Sequence, residues 1–404
     1  MRADDRSNMK KVLIYHKQLT SLLGGGTFQP LMFVADLQKH CEVTLALNGD
    51  ADIGQVSSMA GVAVDVSRLE VVRLDPEKGL GSRCELFREF HRIRKLKKLA
   101  AGADICISTA NVMDFGKPGH HFVYLLSKFG GNAFYDYLMK TKTKTGVRRL
   151  LRRIGTGLAE NVLKPLWGIR PQRRILADPR EHVYPTSGYV ERIVRGFYGP
   201  FNSTVFYPPT VFEFAETEVQ RDPLSAIYIG RIFPPKRITD IVAVVERARE
   251  LSGKDLKLHI AGELVPNPYT DELRKIAAER PWLSLVGPKY GKDKEIFMLS
   301  AAYALHAERD EAFGIAIAEY LKAGNVPIVP DEGGPKEIVG DPELTFGTID
   351  EGARILTRLL ADEGFRAEKR RRCAERAADF TLQAYLARQH KLLEHIVSSA
   401  EGGK

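Results

Sequence analysis

The sequence predicts an α/β protein with two doubly wound, Rossmann-like domains, each built on a parallel sheet. Short apolar runs alternate with amphipathic stretches through the first half of the chain, and the same alternation recurs more regularly in the second half. A pair of prolines separates the two halves. Strands that alternate with helices are typical of a parallel sheet covered by helices on both faces.

The first half supplies the elements of a domain that we place over residues 1–208. It opens with a strand over 12–15, a turn made of Gly24, Gly25 and Gly26, and a helix over 28–40. The remaining predicted elements are strands over 42–47, 104–108, 121–126 and 182–185 and a helix over 84–100. A segment over 127–180 interrupts this rhythm and reads as a basic, amphipathic insertion.

The second half repeats the pattern and defines a domain over 209–380. Its predicted strands cover 226–229, 256–260, 283–286, 303–306 and 326–329, and its helices cover 239–251, 270–279, 292–302 and 313–323. A long last helix is predicted over 374–396, and we expect residues 381–404 to pack back on the first domain. Pro208 and Pro209 stiffen the chain where we place the linker.

The length and composition of the chain exclude several classes of protein. The 404 residues suit two or three domains of about 150 residues each. Lys and Arg number 60 against 51 Asp and Glu, and the net charge of +9 favours an anionic partner. The four cysteines show no metal-binding spacing, and no apolar run approaches the roughly 18 residues of a membrane span. We therefore expect a cytoplasmic protein without a metal site or a disulfide framework.

The first motif with candidate ligand-binding residues is GRIFPPK, which follows the first strand of the second half. Arg231 and Lys236 are thereby predicted at the carboxyl edge of the sheet, where open α/β sheets bind ligands. A guanidinium and an ammonium suit a diphosphate, since each charged hydrogen bond contributes roughly 1.5–3 kcal/mol. The alternative interpretation is a pair of solvated loop cations.

The second motif places two glutamates, Glu311 and Glu319, across the start of a predicted helix. The backbone N–H groups of Phe313, Gly314 and Ile315, with the positive end of the helix, predict an anion site between the two carboxylates. Gly314 would let a ligand approach the backbone closely. Taken alone, the glutamates could equally be a helix cap and a solvated face.

A third motif, the paired-glycine turn GGPKEIV at 333–339, completes a set whose order and spacing are similar to a known family. The sequence resembles the retaining, nucleotide-sugar-dependent glycosyltransferases of the GT-B fold, in family 4, also called glycosyl transferases group 1. The likeness is strongest over 226–339, where it includes LHIAGE at 258–263. It implies two Rossmann-like domains that face each other across a cleft.

The resemblance also implies roles for individual residues. Arg231 and Lys236 would hold the donor diphosphate, Glu311 would contact the donor sugar, and Glu319 would contact the ribose. The glycines at 24–26 would approach the diphosphate and the acceptor. The implied reaction moves a hexose from a UDP- or GDP-linked donor to an acceptor, either lipid-linked or a cell-surface glycan precursor. Such an enzyme uses the nucleotide sugar as a substrate and needs neither a metal nor another cofactor.

Two interpretations remain open for the basic segments. The helix over 84–100 carries a stripe formed by Phe87, Phe90, Ile93, Leu96 and Leu99, with lysines and arginines around it. The stripe could pack on the sheet of the first domain, as amphipathic helices usually do. Alternatively, with the insertion, it could dock peripherally on an anionic membrane surface.

Rival functions are less well supported. Many relatives carry a histidine after the strand at 121–126, where the nearest register here gives Leu126 or Ser127, so a GT-B-shaped protein that binds a nucleotide sugar or a partner without catalysis is the alternative. No nucleic-acid-binding motif accompanies the basic residues, and we expect no nucleic-acid partner. The three consecutive glycines lack the GxGxxG spacing of a dinucleotide site, which argues against an NAD-dependent enzyme.

Overall fold

A computed structural model describes residues 9–19, 25–59, 61–76, 85–124, 158–215 and 217–400. The chain divides into two compact units. The first holds the described residues before Thr210 and those from Tyr385 onward, and the second runs from Thr210 to Ala384. The division falls next to Pro208 and Pro209.

The first unit contains a six-stranded parallel sheet with the strand order β3-β2-β1-β4-β5-β6. Its strands are β1 (Lys10–His16), β2 (Cys41–Leu47), β3 (Leu69–Arg73), β4 (Ile105–Ser108), β5 (His120–Val123) and β6 (His182–Pro185). Its helices are α1 (Gly25–Leu37), α2 (Ile53–Met59), α3 (Glu85–Ala101), α4 (Lys164–Leu166), α5 (Gln172–Leu176) and α6 (Gly188–Tyr198). A π-helix over Ala159–Leu163 leads into α4. Every residue of β4 is buried, as expected of a strand covered on both faces.

The second unit repeats this architecture with the order β12-β11-β10-β7-β8-β9. Its strands are β7 (Asp222–Ile229), β8 (Lys257–Ala261), β9 (Leu283–Gly287), β10 (Ala301–Leu305), β11 (Val326–Pro330) and β12 (Thr345–Phe346). Its helices are α7 (Ile238–Ser252), α8 (Pro268–Ala278), α9 (Gly291–Leu299), α10 (Ile315–Lys322), α11 (Gly333–Val339), α12 (Ile349–Ala361) and α13 (Glu363–Ala377). Both sheets therefore have the strand order of a doubly wound, Rossmann-like fold, which confirms the predicted fold class.

The predicted single helix over 374–396 is wrong. The chain instead forms α13, a 3₁₀ turn over Ala378–Phe380, and a separate helix α14 (Leu382–Ser399). The helix is interrupted at Thr381, whose backbone is extended at φ −64° and ψ 150°. The preceding Phe380 is buried, in an edge-on contact with Phe313 at a centroid distance of 6.2 Å. Thr381 then starts the next helix, since its hydroxyl accepts a hydrogen bond from the backbone N–H of Ala384. Further along α14, Gln389 donates a hydrogen bond to the carbonyl of Met32 in α1.

Other elements were not predicted. The structure adds the edge strand β3 and the helices α2 and α6 in the first unit, and the edge strand β12 and the helix α12 in the second. Helix α1 begins at Gly25, so Gly25 and Gly26 form part of its first turn, whereas the prediction placed the helix start at Phe28. Gly24 lies outside the described residues, as do residues 127–157 of the predicted basic insertion and residues 125–126 at the end of the predicted strand over 121–126.

The stripe on α3 is mostly a packing surface. Phe90, Ile93 and Leu96 are buried in the first unit, whereas Phe87 is exposed. Among the described helices, none combines the length and the apolar content that a membrane span requires.

Candidate active site

The loops of the second unit that carry Arg231, Lys236 and Glu311 lie at the switch point of its sheet, where the order of the strands reverses. From β7 the chain adds β8 and β9 on one side and then returns to place β10 on the other, so that β7 and β10 are direct neighbours. In open α/β sheets, ligands bind at the carboxyl ends of the two strands on either side of such a point. The loop after β7 carries Arg231 and Lys236, and the loop after β10 carries Glu311.

Lys236 is the side chain that joins the two loops. It ends a 3₁₀ turn over Pro234–Lys236, and its ammonium forms ion pairs with Glu308, at 2.5 Å, and with Glu311. Burial lowers the pKa of Lys236, but the two carboxylates outweigh this and hold it above its usual value. The structure thus places Lys236 and Glu311 in direct contact.

Arg231 lies in the same loop as Lys236 but is exposed. Its guanidinium carbon is 5.1 Å from the centroid of the Phe233 ring. Tyr228 fixes the backbone of this turn, because its hydroxyl donates a hydrogen bond of 3.0 Å to the carbonyl of Arg231.

Two polar residues that the sequence analysis did not assign, His306 and Glu308, complete the group around Lys236. Both are buried, and His306 Nε2 lies 3.9 Å from a carboxylate oxygen of Glu311. Burial and the Lys236 charge lower the pKa of His306 to about 3, so its ring is neutral near pH 7. The position of both residues directly after a buried strand was the available signal.

The pKa values of the two carboxyl groups beside Lys236 are shifted in opposite directions. Burial, and then the nearby charge of Glu311, raise the pKa of Glu308 to about 7. Burial also acts to raise the pKa of Glu311, but the attraction of Lys236 outweighs it and holds this pKa well below its usual value. Environments that separate the pKa values of two neighbouring carboxyl groups are typical of functional sites.

Among the described residues, His306, Glu308 and Glu311 are the one set of three potential metal ligands whose ligand atoms lie within 4.8 Å of one another. A cation bound there would compete with the Lys236 ammonium, which already contacts both carboxylates. The expectation that no metal is needed stays a prediction.

The start of α10 depends on two glycines. Gly314 immediately precedes the helix at φ 100°, and a Cβ atom there would lie 2.9 Å from Cγ1 of Ile317. Phe313 is buried and anchors the loop, and Ile315 is the first helical residue. Gly334 donates a backbone hydrogen bond of 2.8 Å to the carbonyl of Glu311, which ties the paired-glycine turn to this loop. The first N–H groups of α10 have no acceptor within the helix.

Glu319 lies within α10 and has a different cationic partner. It is buried, and Lys294 from α9 donates a hydrogen bond of 2.7 Å to its carboxylate. The Lys294 ammonium also lies 4.2 Å from the centroid of the Phe212 ring. No local pattern singles out Lys294, because it lies in a run of charged residues that is typical of a solvated helix face.

The first unit has a polar pair at its own switch point, between β1 and β4. His16 ends β1, and its Nδ1 lies 2.9 Å from the hydroxyl of Thr109, the residue after β4. Burial lowers the pKa of His16 to about 4. Neither residue was predicted as part of a site, while Gly25 and Gly26, which were, begin the helix that follows β1.

The second unit is the part of the chain that matches a known protein family. Residues 211–380 match the family described as glycosyl transferases group 1. This match supports glycosyltransferase activity, the enzyme class that the sequence predicts. A curated relative is the GDP-Man:Man(3)GlcNAc(2)-PP-Dol alpha-1,2-mannosyltransferase of Neurospora crassa, which is 27% identical over 165 residues. The match covers 34% of this chain and 29% of the length of that protein.

Solved structures extend the likeness of the fold to nearly the whole chain. Sucrose-phosphate synthase from Thermosynechococcus elongatus matches with a TM-score of 0.64 and 14% identity, covering 96% of this chain and 100% of that one. Anabaena HepE in complex with UDP and glucose matches with a TM-score of 0.59 and 14% identity, also covering 96% and 100%. At this identity the similarity establishes the fold, which is GT-B.

Proposed function

We propose that this protein is a retaining glycosyltransferase that moves a hexose from a UDP- or GDP-linked sugar to a glycan acceptor. The observation that carries the proposal is Lys236, held between two carboxylates at the switch point of a glycosyl transferases group 1 domain. A fixed ammonium there suits the departing phosphate of a nucleotide sugar.

The proposed chemistry assigns a separate task to each part of this site. When the bond to the anomeric carbon breaks, positive charge develops on the sugar and negative charge on the diphosphate. Lys236 and Arg231, with the N-terminal end of α10, would stabilise the diphosphate without a metal. Glu311 would orient the sugar and Glu319 would accept hydrogen bonds from the ribose. Retention would follow if the acceptor attacks from the face that the diphosphate leaves.

The relatives support two different donors. The Neurospora enzyme is named for GDP-mannose and for a lipid-linked glycan acceptor, whereas the Anabaena protein was solved with UDP and glucose. We therefore extend the proposal to a lipid-linked glycan, or a cell-surface glycan precursor, as the acceptor, and leave the donor to experiment.

Turnover is the direct test. The purified protein is incubated with UDP-, GDP- and ADP-sugars and a membrane extract, and release of nucleoside diphosphate is measured. We expect release with one donor, and its loss in Glu311→Ala and Lys236→Ala. Glu272→Ala and Lys275→Ala, which change exposed residues of α8, are the matched controls. Binding of a donor without release would favour a non-catalytic nucleotide-sugar-binding protein.

We further propose that the first unit contacts an anionic membrane from the cytoplasmic side. Exposed apolar side chains from α3 and from the segment over 158–167 support this: Phe87, Leu158, Val162, Leu166 and Trp167. The rings of Phe87 and Trp167 lie 5.6 Å apart. Exposed arginines occur nearby in the chain at 94, 173 and 174. Apolar side chains among basic ones are typical of surfaces that bind anionic lipids.

Vesicle sedimentation tests the membrane contact. We expect binding to phosphatidylglycerol vesicles, weak binding to phosphatidylcholine vesicles, and a loss of about tenfold in Leu166→Ser, since burial of one leucine is worth roughly 1.5–3 kcal/mol. Leu251→Ser, an exposed leucine of the second unit, is the control. Equal binding of the native chain to both kinds of vesicle would contradict the proposal.

A further inference from the structure

Glu308 belongs to none of the sequence motifs, but it forms an ion pair with Lys236, as Glu311 does. Its carboxylate lies 2.5 Å from the Lys236 ammonium, which also contacts Glu311. The Glu308 side chain is only 6% exposed, whereas the Glu311 side chain is 24% exposed. Two carboxylates, one of them buried, therefore share the positive charge of Lys236.

Two neutral titratable groups, Tyr228 and His306, also lie near Glu308, and the positive charge of Arg231 belongs to the same loop as Lys236. Tyr228 in β7 is neutral, because burial raises its pKa well above the usual value. His306 is neutral as well, because burial and the Lys236 charge lower its pKa to about 3. With both glutamates ionised, the group formed by Lys236, Glu308 and Glu311 thus carries one net negative charge.

We propose that Glu308 takes up a proton when the diphosphate of a nucleotide sugar binds at Lys236. The inference rests on the proposed function. The diphosphate of a nucleotide sugar brings two further negative charges to an ammonium that already contacts two carboxylates. An ammonium has three N–H donors, so Lys236 can reach the diphosphate while it still contacts the glutamates. Arg231, which the proposed function also assigns to the diphosphate, adds one positive charge, so the site then holds two net negative charges unless one group is neutralised.

The geometry selects Glu308 as the group that is neutralised. A like charge nearby and burial both favour the protonated form of a carboxyl group, and Glu308 is the more buried of the two. Its pKa is already raised to about 7 in the protein without a donor, whereas that of Glu311 is held low. The step is a simple proton transfer from solvent to a Glu308 carboxylate oxygen, with no other bond changed. Glu311 stays ionised and available to the sugar.

Calorimetry measures this proton directly. UDP-glucose, GDP-mannose and ADP-glucose are each titrated into the full chain at pH 7.5, in buffers that differ in their heat of ionisation. Nucleotide sugars are suitable probes because their diphosphate is esterified at both ends and does not itself titrate near neutral pH. For the probe that binds, we expect the uptake of a substantial fraction of one proton per site. We also expect affinity to fall by up to about tenfold per pH unit above pH 7.

Variants assign the proton to a residue. Glu308→Gln keeps the shape of the protonated acid, and we expect it to bind the same nucleotide sugar without proton uptake and with affinity that is flat with pH. Glu272→Gln, on the surface of α8, is the matched control and keeps the uptake. Should Glu308→Gln fold poorly by circular dichroism, the pH dependence of the native chain still tests the proposal.

Each contrary result has its own meaning. Binding by the native chain without proton uptake overturns the inference and leaves the proposed function standing. Uptake that survives in Glu308→Gln and disappears in His306→Gln also overturns it, and assigns the proton to His306. If none of the three nucleotide sugars binds, both the inference and the proposed donor site are wrong.

Discussion

Lys294 donates a hydrogen bond of 2.7 Å to Glu319, which follows it by 25 residues in the chain. Glu319 is buried, and a buried carboxylate that loses its partner is costly. The contact joins α9 to α10, so that Lys294 fixes the carboxylate to which the resemblance assigns the ribose. We therefore treat Lys294 as a positioning residue that acts through Glu319.

Substitution of Lys294 by Met should raise the donor KM about tenfold or more with little change in kcat. The reason is that a hydrogen bond to a charged group contributes about 1.5–3 kcal/mol, and about 1.4 kcal/mol is a factor of ten. Lys294→Arg retains a donor and should recover much of the affinity. Initial rates at varied donor concentration check both expectations.

The control for this prediction is Lys292→Met, which removes an exposed lysine from the same helix. Its KM should equal that of the native chain. A donor analogue that lacks the ribose hydroxyls should bind Lys294→Met and the native chain equally well. If Lys294→Met instead discriminates against this analogue as strongly as the native chain does, Lys294 does not act through Glu319.

Gly334 supports the loop that carries Glu311, and its replacement by Ala should disturb that loop. The added Cβ would lie 2.5 Å from the carbonyl oxygen of Ala312 and 2.7 Å from the Cα atom of Phe313. Overpacking of this kind costs about 1–3 kcal/mol. We expect a lower melting temperature and a loss of activity. Gly364→Ala is the control, because its Cβ would be 3.5 Å from the nearest atom, and unchanged stability of Gly334→Ala would contradict the reasoning.

Lys369 is a buried cation with acidic partners in the second unit. Its ammonium lies 3.0 Å from a carboxylate oxygen of Asp341 and 2.5 Å from one of Glu343. Lys369→Met should lower the free energy of unfolding by up to roughly 3–5 kcal/mol, because the buried Asp341 is then left with the partly exposed Arg372, at 3.3 Å, as its cationic partner. Arg371→Met, on the exposed side of α13, should change little. Urea unfolding measures both, and equal midpoints for the two variants would refute the prediction.

The sequence predicted most of the second unit because its central strands are buried on both faces: β10 and β11 along their whole length, and β7 over residues 225–228. Such strands read as short, continuous apolar runs, and the predicted runs overlap with all five long strands there. The edge strand β3 escaped prediction for the opposite reason. Glu70 and Arg73 interrupt its apolar pattern, since several of its side chains face solvent.

The candidate site was predictable only where residues belong to a local motif. Lys236, Glu311 and Glu319 lie in loops and helices whose spacing can be recognised along the chain. Glu308 and Lys294 have no such spacing, and they matter because two strands pair and two helices pack. Their partners are 72 and 25 residues away in sequence, distances that no local pattern reports.

Asp114 joins several parts of the first unit and provides a test of stability against pH. Its buried carboxylate lies 3.1 Å from the Lys97 ammonium and accepts hydrogen bonds from the backbone N–H and the Nε of Arg170, each at 2.8 Å. It also accepts one from the N–H of Gly116. Burial acts to raise the pKa of Asp114, but these hydrogen bonds outweigh it, so the pKa is lowered.

A carboxyl group whose pKa is lowered by folding stabilises the protein at pH values above its unfolded pKa, which is about 3.9 for Asp. Asp114→Asn should therefore cost roughly 3 kcal/mol at pH 7, because Lys97 loses its carboxylate partner and Arg170 loses one of its carboxylate partners. The difference between native and variant should stay constant from pH 7 to about pH 5 and shrink below about pH 4, as the native carboxylate is protonated. Urea unfolding followed by Trp167 fluorescence, with Trp282→Phe in both proteins, reports on the first unit. A difference that does not change with pH would mean that the charge of Asp114 contributes nothing to stability.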